Sequence, residues 1–509
     1  MAGFDSRRGL RLLICDLLLP AALGALAVLG FAPFGYYGLS WLSMAGLLAL
    51  WWRTSAGRGA WRGFVFGLGM FGAGVHWPFV SIYYYGNAPL ALAVVLVCLL
   101  VAYLALYPAL VGFVAGATRR LPRPLWALLF VPGAWLLSEL LRGWVMTGFP
   151  WLALGYSTID APVMDLVPLG GVYFMSALVV AAAGVLVLLF LGSISARLIS
   201  VLLIAVTPVM LWLVPPATSW TEATGTQLDV AIIQGNFGQD VKWDQDYLGP
   251  TLARYRRLTE ATDADLVIWP EVAIPALARH VQDYLHSIDY LASNKNQTVL
   301  IGTLTRDANG TGYYNTILAL GESHGEYHKH HLVPFGEYFP LPDFAKRWLD
   351  VLEVRYSTLA RGSLQQEPIR IGSTSLGASI CFEDVFGEEV MQALPQAGLL
   401  VNVTNDAWFT GTIAAAQHFE ISRMRALEAG RVLLRAANTG ISGIVAASGR
   451  AIRKTHENEV AVIEAVVQTR TGATPYVRFG NWPLWAAGVF LTALGLGWAG
   501  LQRRRGASV

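Results

Sequence analysis

A carboxylate, an ammonium and a thiol each close a separate strand-like stretch of this chain. They are Glu271 in Trp269-Pro270-Glu271, Lys329 in Tyr327-His328-Lys329-His330-His331-Leu332, and Cys381 in Ser379-Ile380-Cys381-Phe382-Glu383. Together they make a candidate nucleophilic-cysteine site. The carboxylate takes the thiol proton, and the ammonium favours the thiolate and then an oxyanion. Cys15 and Cys98 fall inside long apolar segments, which leaves Cys381 as the chemical thiol of the three. Three cysteines cannot build a general disulfide framework. An unpaired thiol in an oxidising compartment is a liability unless it is used. The competing readings are a buried small hydrophobe for Cys381 and a helix-start carboxylate for Glu271.

Two further features crowd this set. Glu337 lies in Val333-Pro334-Phe335-Gly336-Glu337-Tyr338, where a carboxylate among Pro, Phe, Gly and Tyr either holds Lys329, assists proton transfer or forms a structural ion pair. His324, His328, His330 and His331 surround Lys329. They lack the helical or finger spacing of zinc ligands, so a solvated cluster is expected and no metal or cofactor.

The elements that must position these residues follow from composition. The chain has 509 residues, 55% hydrophobic and only 14% charged, against about 25% in soluble proteins. Much of it therefore belongs in lipid, and a net charge of +2 gives no basis for a nucleic-acid partner. Apolar stretches near 10–30, 36–52, 61–82, 88–117, 124–142, 170–192, 195–215 and 482–501 predict about eight spans. Arg7, Arg8, Arg11, Arg53, Arg58, Arg62, Arg119, Arg120, Arg123, Arg197 and Arg503 to Arg505 fall in alternate loops. Positive charge marks the cytoplasmic side, so both termini are expected inside and the long hydrophilic segment outside. Glu139 and Arg142, three apart inside a span, suit a structural pair better than a headgroup contact. His76 is a further polar residue expected to face protein or water.

The division expected is a membrane domain over 1–216, a catalytic domain over 217–478, and a last span with a basic tail over 479–509. Within 217–478 the runs Leu228-Asp229-Val230-Ala231-Ile232-Ile233, Leu266-Val267-Ile268-Trp269, Thr298-Val299-Leu300-Ile301-Gly302, Leu376-Gly377-Ala378-Ser379-Ile380 and Leu399-Leu400-Val401-Asn402-Val403 read as buried strands. Helix-like segments at 248–262 and 281–294 alternate with them, which gives an α/β domain.

These motifs taken together, with Asn405-Asp406-Ala407-Trp408-Phe409, the helix-like segment 417–428 and Asn438 beyond it, resemble the nitrilase (carbon–nitrogen hydrolase) superfamily. A nitrilase-like domain set before the last of about eight spans resembles the apolipoprotein N-acyltransferase family. The resemblance implies a polytopic helical membrane domain joined to an αββα sandwich. It implies a triad of Glu271, Lys329 and Cys381, with Glu337 and Glu383 as further essential glutamates and Trp243 as a tryptophan needed for activity. Phe382 stands where relatives often carry Tyr, which leaves ring packing and its backbone N–H as its possible roles. Tyr338, Asn405 and Trp408, inside these motifs, are expected supporting residues; the apolar, loop-like segments 335–344 and 407–409 are expected to touch lipid or cover the thioester, against core packing as the commoner fate of aromatics. The implied reaction moves a fatty acyl chain from a membrane phospholipid, through a cysteine thioester, to the amino group of a diacylglyceryl-cysteine apolipoprotein. The expected setting is a monomer in a bacterial inner membrane with the catalytic domain in the periplasm. A membrane-anchored amidase or hydrolase, and a transporter or receptor with an external sensing domain, remain as alternatives.

Overall fold

The computed structural model describes residues 10, 12–307, 310, 312–338 and 359–507. Arg7, Arg8, Arg11 and the 339–344 part of the expected lipid-facing loop lie outside those residues. The chain forms two compact units. One contains the residues up to Pro78, Ala91–Pro216 and the residues from Phe479 onward; the other contains Phe79–Leu90 and Ala217–Arg478.

The first unit is helical. Among the described residues five helices are long and apolar enough to cross a membrane: Leu90–Ala117, Arg123–Arg142, Met164–Leu191, Ile194–Leu213 and Trp482–Arg505. The pair Ala56–Gly74 and Pro78–Tyr85, whose residues from Phe79 belong to the other unit, brings the number to six if it counts as one span. The expected count of eight is therefore not reached on helix length. Tyr37–Trp51 has 15 residues and rises only about 22 Å, short of the ~30 Å hydrocarbon core. Ile14–Val28 is also among the shorter apolar helices. Gly59, Gly63 and Gly67 on one helix meet Gly112, Pro108 and Ala105 on the next, so the two backbones touch where any larger side chain would collide. Glu139 and Arg142 are buried and brace the segment that follows them. Glu139 Oε1 accepts from Trp135 Nε1 at 2.9 Å and Leu154 N at 3.0 Å, while Arg142 Nη1 donates to the carbonyls of Phe149 (2.7 Å) and Trp151 (2.6 Å). His76 is exposed.

The second unit is a sandwich. Its strands are β1 (Thr221–Gln234), β2 (Leu266–Ile268), β3 (Thr298–Arg306), β4 (Tyr313–Gly321), β5 (Gly325–His328), β6 (Ile369–Ile371), β7 (Thr374–Ile380), β8 (Leu399–Thr404), β9 (Leu433–Ala437), β10 (Gly443–Val445), β11 (Ala451–Lys454) and β12 (Ala461–Gly472). They form two six-stranded sheets, ordered β12-β1-β2-β3-β4-β5 and β11-β10-β9-β8-β7-β6. In each the central strands, β1-β2-β3 and β7-β8-β9, run parallel and the outer ones antiparallel.

Burial on both faces explains why these strands are continuous apolar runs. Val230, Ile232, Leu266, Ile268 and Leu300 meet Leu376, Ile380, Leu399, Val401 and Leu434 between the sheets. Their alternates Ala231, Ile233, Val267, Val299 and Ile301 turn outward onto Tyr255, Leu285 and Ile288 of the helices Gln245–Glu260 and Gln282–Asn294. On the other outer face Leu400, Leu433 and Val445 pack on Phe419, Ala426 and Ala429 of the helix Ala414–Ala429. The order helix, sheet, sheet, helix is the expected αββα arrangement.

Candidate active site

The carboxyl ends of β2, β5 and β7 deliver the site, two of them strands of the parallel cores. β2 stops at Ile268, and two residues later comes Pro270, which has no N–H for a ladder. Glu271 follows, and Val272 turns the chain at φ 44°, a left-handed conformation that a β-branched residue adopts only under strain. Lys329 is the first residue after β5, and its N–H donates to the Asn315 carbonyl at 2.8 Å. Cys381 is the first residue after β7 and opens a short 3₁₀ turn, Cys381–Val385, at φ 54°.

Such a backbone costs on the order of 1–3 kcal/mol and persists only where its surroundings enforce it. The surroundings here are specific. Glu383 Oε2 accepts from Ile380 N at 2.6 Å, just ahead of the nucleophile. The Cys381 carbonyl accepts from Asn402 Nδ2 and from His418 Nε2, each at 3.3 Å.

Lys329 is fully buried between two carboxylates. Its Nζ lies 2.8 Å from Glu337 Oε1 and 3.5 Å from Glu271 Oε1. Burial alone would lower its pKa, but Glu337 and then Glu271 outweigh burial and hold the ammonium above its ordinary value. Asn315 Nδ2 donates to Glu271 Oε1 at 2.7 Å and reaches Glu337 Oε1 at 3.5 Å, so one amide spans both acids. Glu337 Oε2 accepts from Val333 N at 2.8 Å.

Burial pushes the Cys381 thiol well above its ordinary value, and the neighbouring Glu271 carboxylate adds to this. The Lys329 ammonium and a hydrogen bond with Thr404 pull the other way without prevailing, and Asp406 opposes them. The expected acidifying effect of Lys329 is thus present but outweighed. The resting group is a thiol, which needs a base at the moment of attack.

The supporting residues divide. Glu383 accepts four hydrogen bonds: from Ile380 N, His330 N (2.6 Å), His331 N (3.0 Å) and Tyr327 Oη (3.0 Å). It ties the Lys329 segment to the nucleophile's strand. The Phe382 ring packs edge-on against Phe386 at 5.3 Å and His331 at 6.0 Å. Asn405 lies outside the acid–lysine cluster. It donates to Gln239 Oε1 at 2.9 Å and accepts from Asn438 Nδ2 at 3.0 Å, linking three loops. Trp243 is exposed. Trp408 is partly exposed and meets the Tyr85 ring edge-on at 5.8 Å. The Tyr338 hydroxyl is buried and has no hydrogen-bond partner among the described residues.

The four histidines go to separate partners: His324 to Asp289, His328 to Thr316, His330 to the Gly362 carbonyl and His331 to Glu389. Among the described residues no group of His, Cys, Asp and Glu is arranged to hold a metal ion. A hollow of about 380 Å³ lined by Arg279, His286, Asp289 and His324 contains none of the residues of this site.

Residues 23–185 match the model of the apolipoprotein N-acyltransferase N-terminal domain, and residues 229–476 match that of the carbon-nitrogen hydrolases. A Methylococcus capsulatus protein named apolipoprotein N-acyltransferase is 40% identical to this chain and aligns over 97% of both. One of the same name from Nitrosomonas europaea is 41% identical over 90% of this chain and 93% of its own length. The chain belongs to the apolipoprotein N-acyltransferase family. It is therefore an enzyme, and the transporter and receptor readings fall away. With helices of membrane-spanning length and composition, it is a bacterial membrane enzyme.

Several polar residues of this family member escaped the sequence reading. Asn315 left a faint signal, a lone amide in the otherwise strand-like Tyr313-Tyr314-Asn315-Thr316-Ile317. Lys242, whose Nζ donates to the Glu271 main-chain carbonyl at 3.1 Å, left none. Thr404 and Arg435 are hidden inside strand sequences.

Proposed function

We propose that Cys381 carries a fatty acyl group as a thioester between a phospholipid donor and the α-amino group of a diacylglyceryl-cysteine apolipoprotein. The observation that supports this best is the buried cluster of Glu271, Lys329 and Glu337 electrostatically coupled to a backbone-strained cysteine, in a chain with apolar spans. Glu271 takes the Cys381 proton as sulfur attacks the ester carbonyl carbon. The oxyanion is held by Lys329 and the Phe382 backbone N–H. Collapse breaks the acyl C–O bond, Glu271 returns the proton to the departing oxygen, and a lysophospholipid leaves. The acceptor amine then attacks the thioester carbon. Glu271 takes an amine proton and passes it to the departing Cys381 sulfur, giving an amide and free enzyme. A covalent intermediate of this kind gives ping-pong kinetics.

In this reading residues 1–216 and 479–509 hold the membrane, with both termini cytoplasmic, and residues 217–478 form a periplasmic catalytic domain. The arginine placement supports that orientation. The enzyme works as a monomer without metal or cofactor, and Trp243, Trp408 and the loop at Phe335 and Tyr338 meet the lipid substrates.

The test is the intact mass of the full-length protein after incubation with phospholipid. An acyl adduct on Cys381, discharged as an amide by a diacylglyceryl-cysteine peptide, is expected. Cys381→Ala should form none and lose roughly 10⁴-fold or more in rate. An adduct discharged only to water would replace the transferase with a membrane-anchored hydrolase.

A further inference from the structure

Lys242 is buried, and among the described residues no carboxylate lies within ion-pair distance of its ammonium. It is 5% exposed, and among the described residues its ammonium makes one hydrogen bond, to the Glu271 main-chain carbonyl. An ammonium carries three donors, so two have no partner among those residues. An unpaired charge away from water is costly, and an apolar side chain would fill the same place without that cost. Burial lowers the pKa of Lys242 to about 8, and the two groups that oppose this are Glu271 and Cys381, the base and the nucleophile.

The segment around Lys242 is built to place it. Its N–H donates to the Gly238 carbonyl at 3.1 Å, closing a turn. Gln239 accepts from the Asn405 amide, and the Asn438 amide donates to the Phe237 carbonyl at 2.7 Å. The turn is thereby tethered to the chain just beyond β8 and β9. Lys242 is buried while its neighbour Trp243 is exposed.

Charge balance gives the lysine a task. The groups facing Cys381 are Glu271, Lys329 and Asp406, with Glu337 on the far side of Lys329. Asp406 is matched by Arg435 and His418. Once Glu271 has taken the thiol proton, the thiolate and Glu337 face a single ammonium, Lys329. A second cation brings the cluster to neutrality.

We propose that Lys242 is a positioning and charge-balancing residue of the acyl transfer: it holds the Glu271 turn through its main-chain carbonyl and offsets the negative charge that passes from the Cys381 thiolate to the donor's carbonyl oxygen. The inference rests on the thioester reading above, but its first test needs no lipid. Alkylation of Cys381 by iodoacetamide in the full-length protein, located by peptide mass and followed from about pH 6 to 10, reports the thiolate. Lys242→Gln keeps a donor for the carbonyl and removes the charge; Lys242→Arg keeps the charge. The Gln variant is expected to alkylate about tenfold more slowly at neutral pH, its profile moved up by about one unit. Its kcat for acyl transfer should fall by a similar factor with KM nearly unchanged, while Lys242→Arg stays within about threefold of wild type.

A wild-type alkylation profile in the Gln variant overturns the proposal even if kcat falls, since a merely structural prop would behave that way. If the Gln variant does not fold, the Arg variant decides. Charge balancing requires Arg to retain rapid alkylation and to extend it above pH 8, and an Arg variant that loses it overturns the proposal. Absence of an acyl adduct on the wild type would break the thioester reading and leave the alkylation result standing.

Discussion

Two polar clusters act on Cys381, one through charge and one through hydrogen bonds to its carbonyl. On one side Lys329 lies within ion-pair reach of both Glu271 and Glu337, and among the described residues the Asn315 side-chain Oδ1 is buried with no partner. On the other side His418, Arg435, Asp384 and Asp406 make two cations and two carboxylates. His418 bonds Asp406 at 2.8 Å and Asp384 at 2.9 Å, Arg435 reaches both acids at 3.1 Å, and Ser422 donates to Asp384. Every carboxylate oxygen of that second cluster is used. A balanced network rigidifies what it touches, here the Cys381 carbonyl. The Lys329 side, with two carboxylates on one lysine, depends on a further cation for its balance, the part proposed for Lys242. Polar burial alone therefore does not mark the chemistry.

The sharpest way to break this contrast is to disable one member of each cluster. Glu271→Gln is expected to lower the rate of acyl-enzyme formation by roughly 10³-fold, the worth of a general base. Its melting temperature in detergent should stay near wild type. Arg435→Met should do the reverse. It leaves two buried carboxylates short of a partner, a loss of about 3–5 kcal/mol and roughly 10 °C in melting temperature. If the Arg435 variant melts normally but loses activity like the Glu271 variant, the division into working and supporting clusters is wrong.

A smaller effect comes from the supporting cluster's own titration. Burial and Arg435 both lower the pKa of His418, yet Asp384 and Asp406 outweigh them and raise it from 6.5 to about 9. A raised histidine stabilises the fold fully below its unfolded pKa and loses that contribution as pH rises through the folded one. The window is thus pH 6.5 to 9, and the full contribution is roughly 3 kcal/mol. Asp406 has the opposite sign. Burial opposes ionisation, but Arg435 and then His418 hold it at about 2, so its contribution is lost only as pH falls from 3.8 toward 2. Thermal denaturation of wild type against His418→Gln should show the difference in stability shrinking between pH 6.5 and 9. A constant difference across that window would mean His418 is neutral in the native protein.

How much of this was legible follows from which residues carry their role in their type. The parallel core strands were readable because burial on both faces makes them unbroken apolar runs; β7 and β8 are examples. β12 alternates exposed and partly buried positions over most of its length and lacks that signature. The working cluster was visible because Glu271 and Cys381 each follow such a strand, while Lys329 closes the short edge strand β5. The supporting cluster was not, since Arg435 sits inside Leu433-Leu434-Arg435-Ala436-Ala437, where a single charge normally argues against a buried strand. Only tertiary structure, which brings Asp384 and Asp406 to it, makes that charge tolerable. The membrane spans were legible as apolar runs, but crossing depends on helix length, and neither Tyr37–Trp51 nor Ile14–Val28 reaches the length of the five long helices.

Glu383 sits between the two clusters and gives the finest test of the contrast. Its four accepted hydrogen bonds resemble the fully used carboxylates of the supporting side, yet it braces the segment that carries Lys329. Burial raises its pKa to about 7, against the pull of the His331, Ile380 and His330 N–H groups and of Lys329. Protonation puts a hydrogen on an oxygen that already faces donors, so the brace should loosen as pH falls through about 7. Glu383→Gln does the same permanently by turning an amide N–H₂ toward N–H groups, at about 1–3 kcal/mol. If Glu383 only positions, that variant should lose about 10- to 100-fold in rate, and the acid limb near pH 7 should vanish from its kcat/KM profile. The Cys381 alkylation profile should then move little, because Glu383 is not among the charges that set the thiol. If alkylation slows in step with turnover, Glu383 belongs to the working cluster and acts on the nucleophile itself.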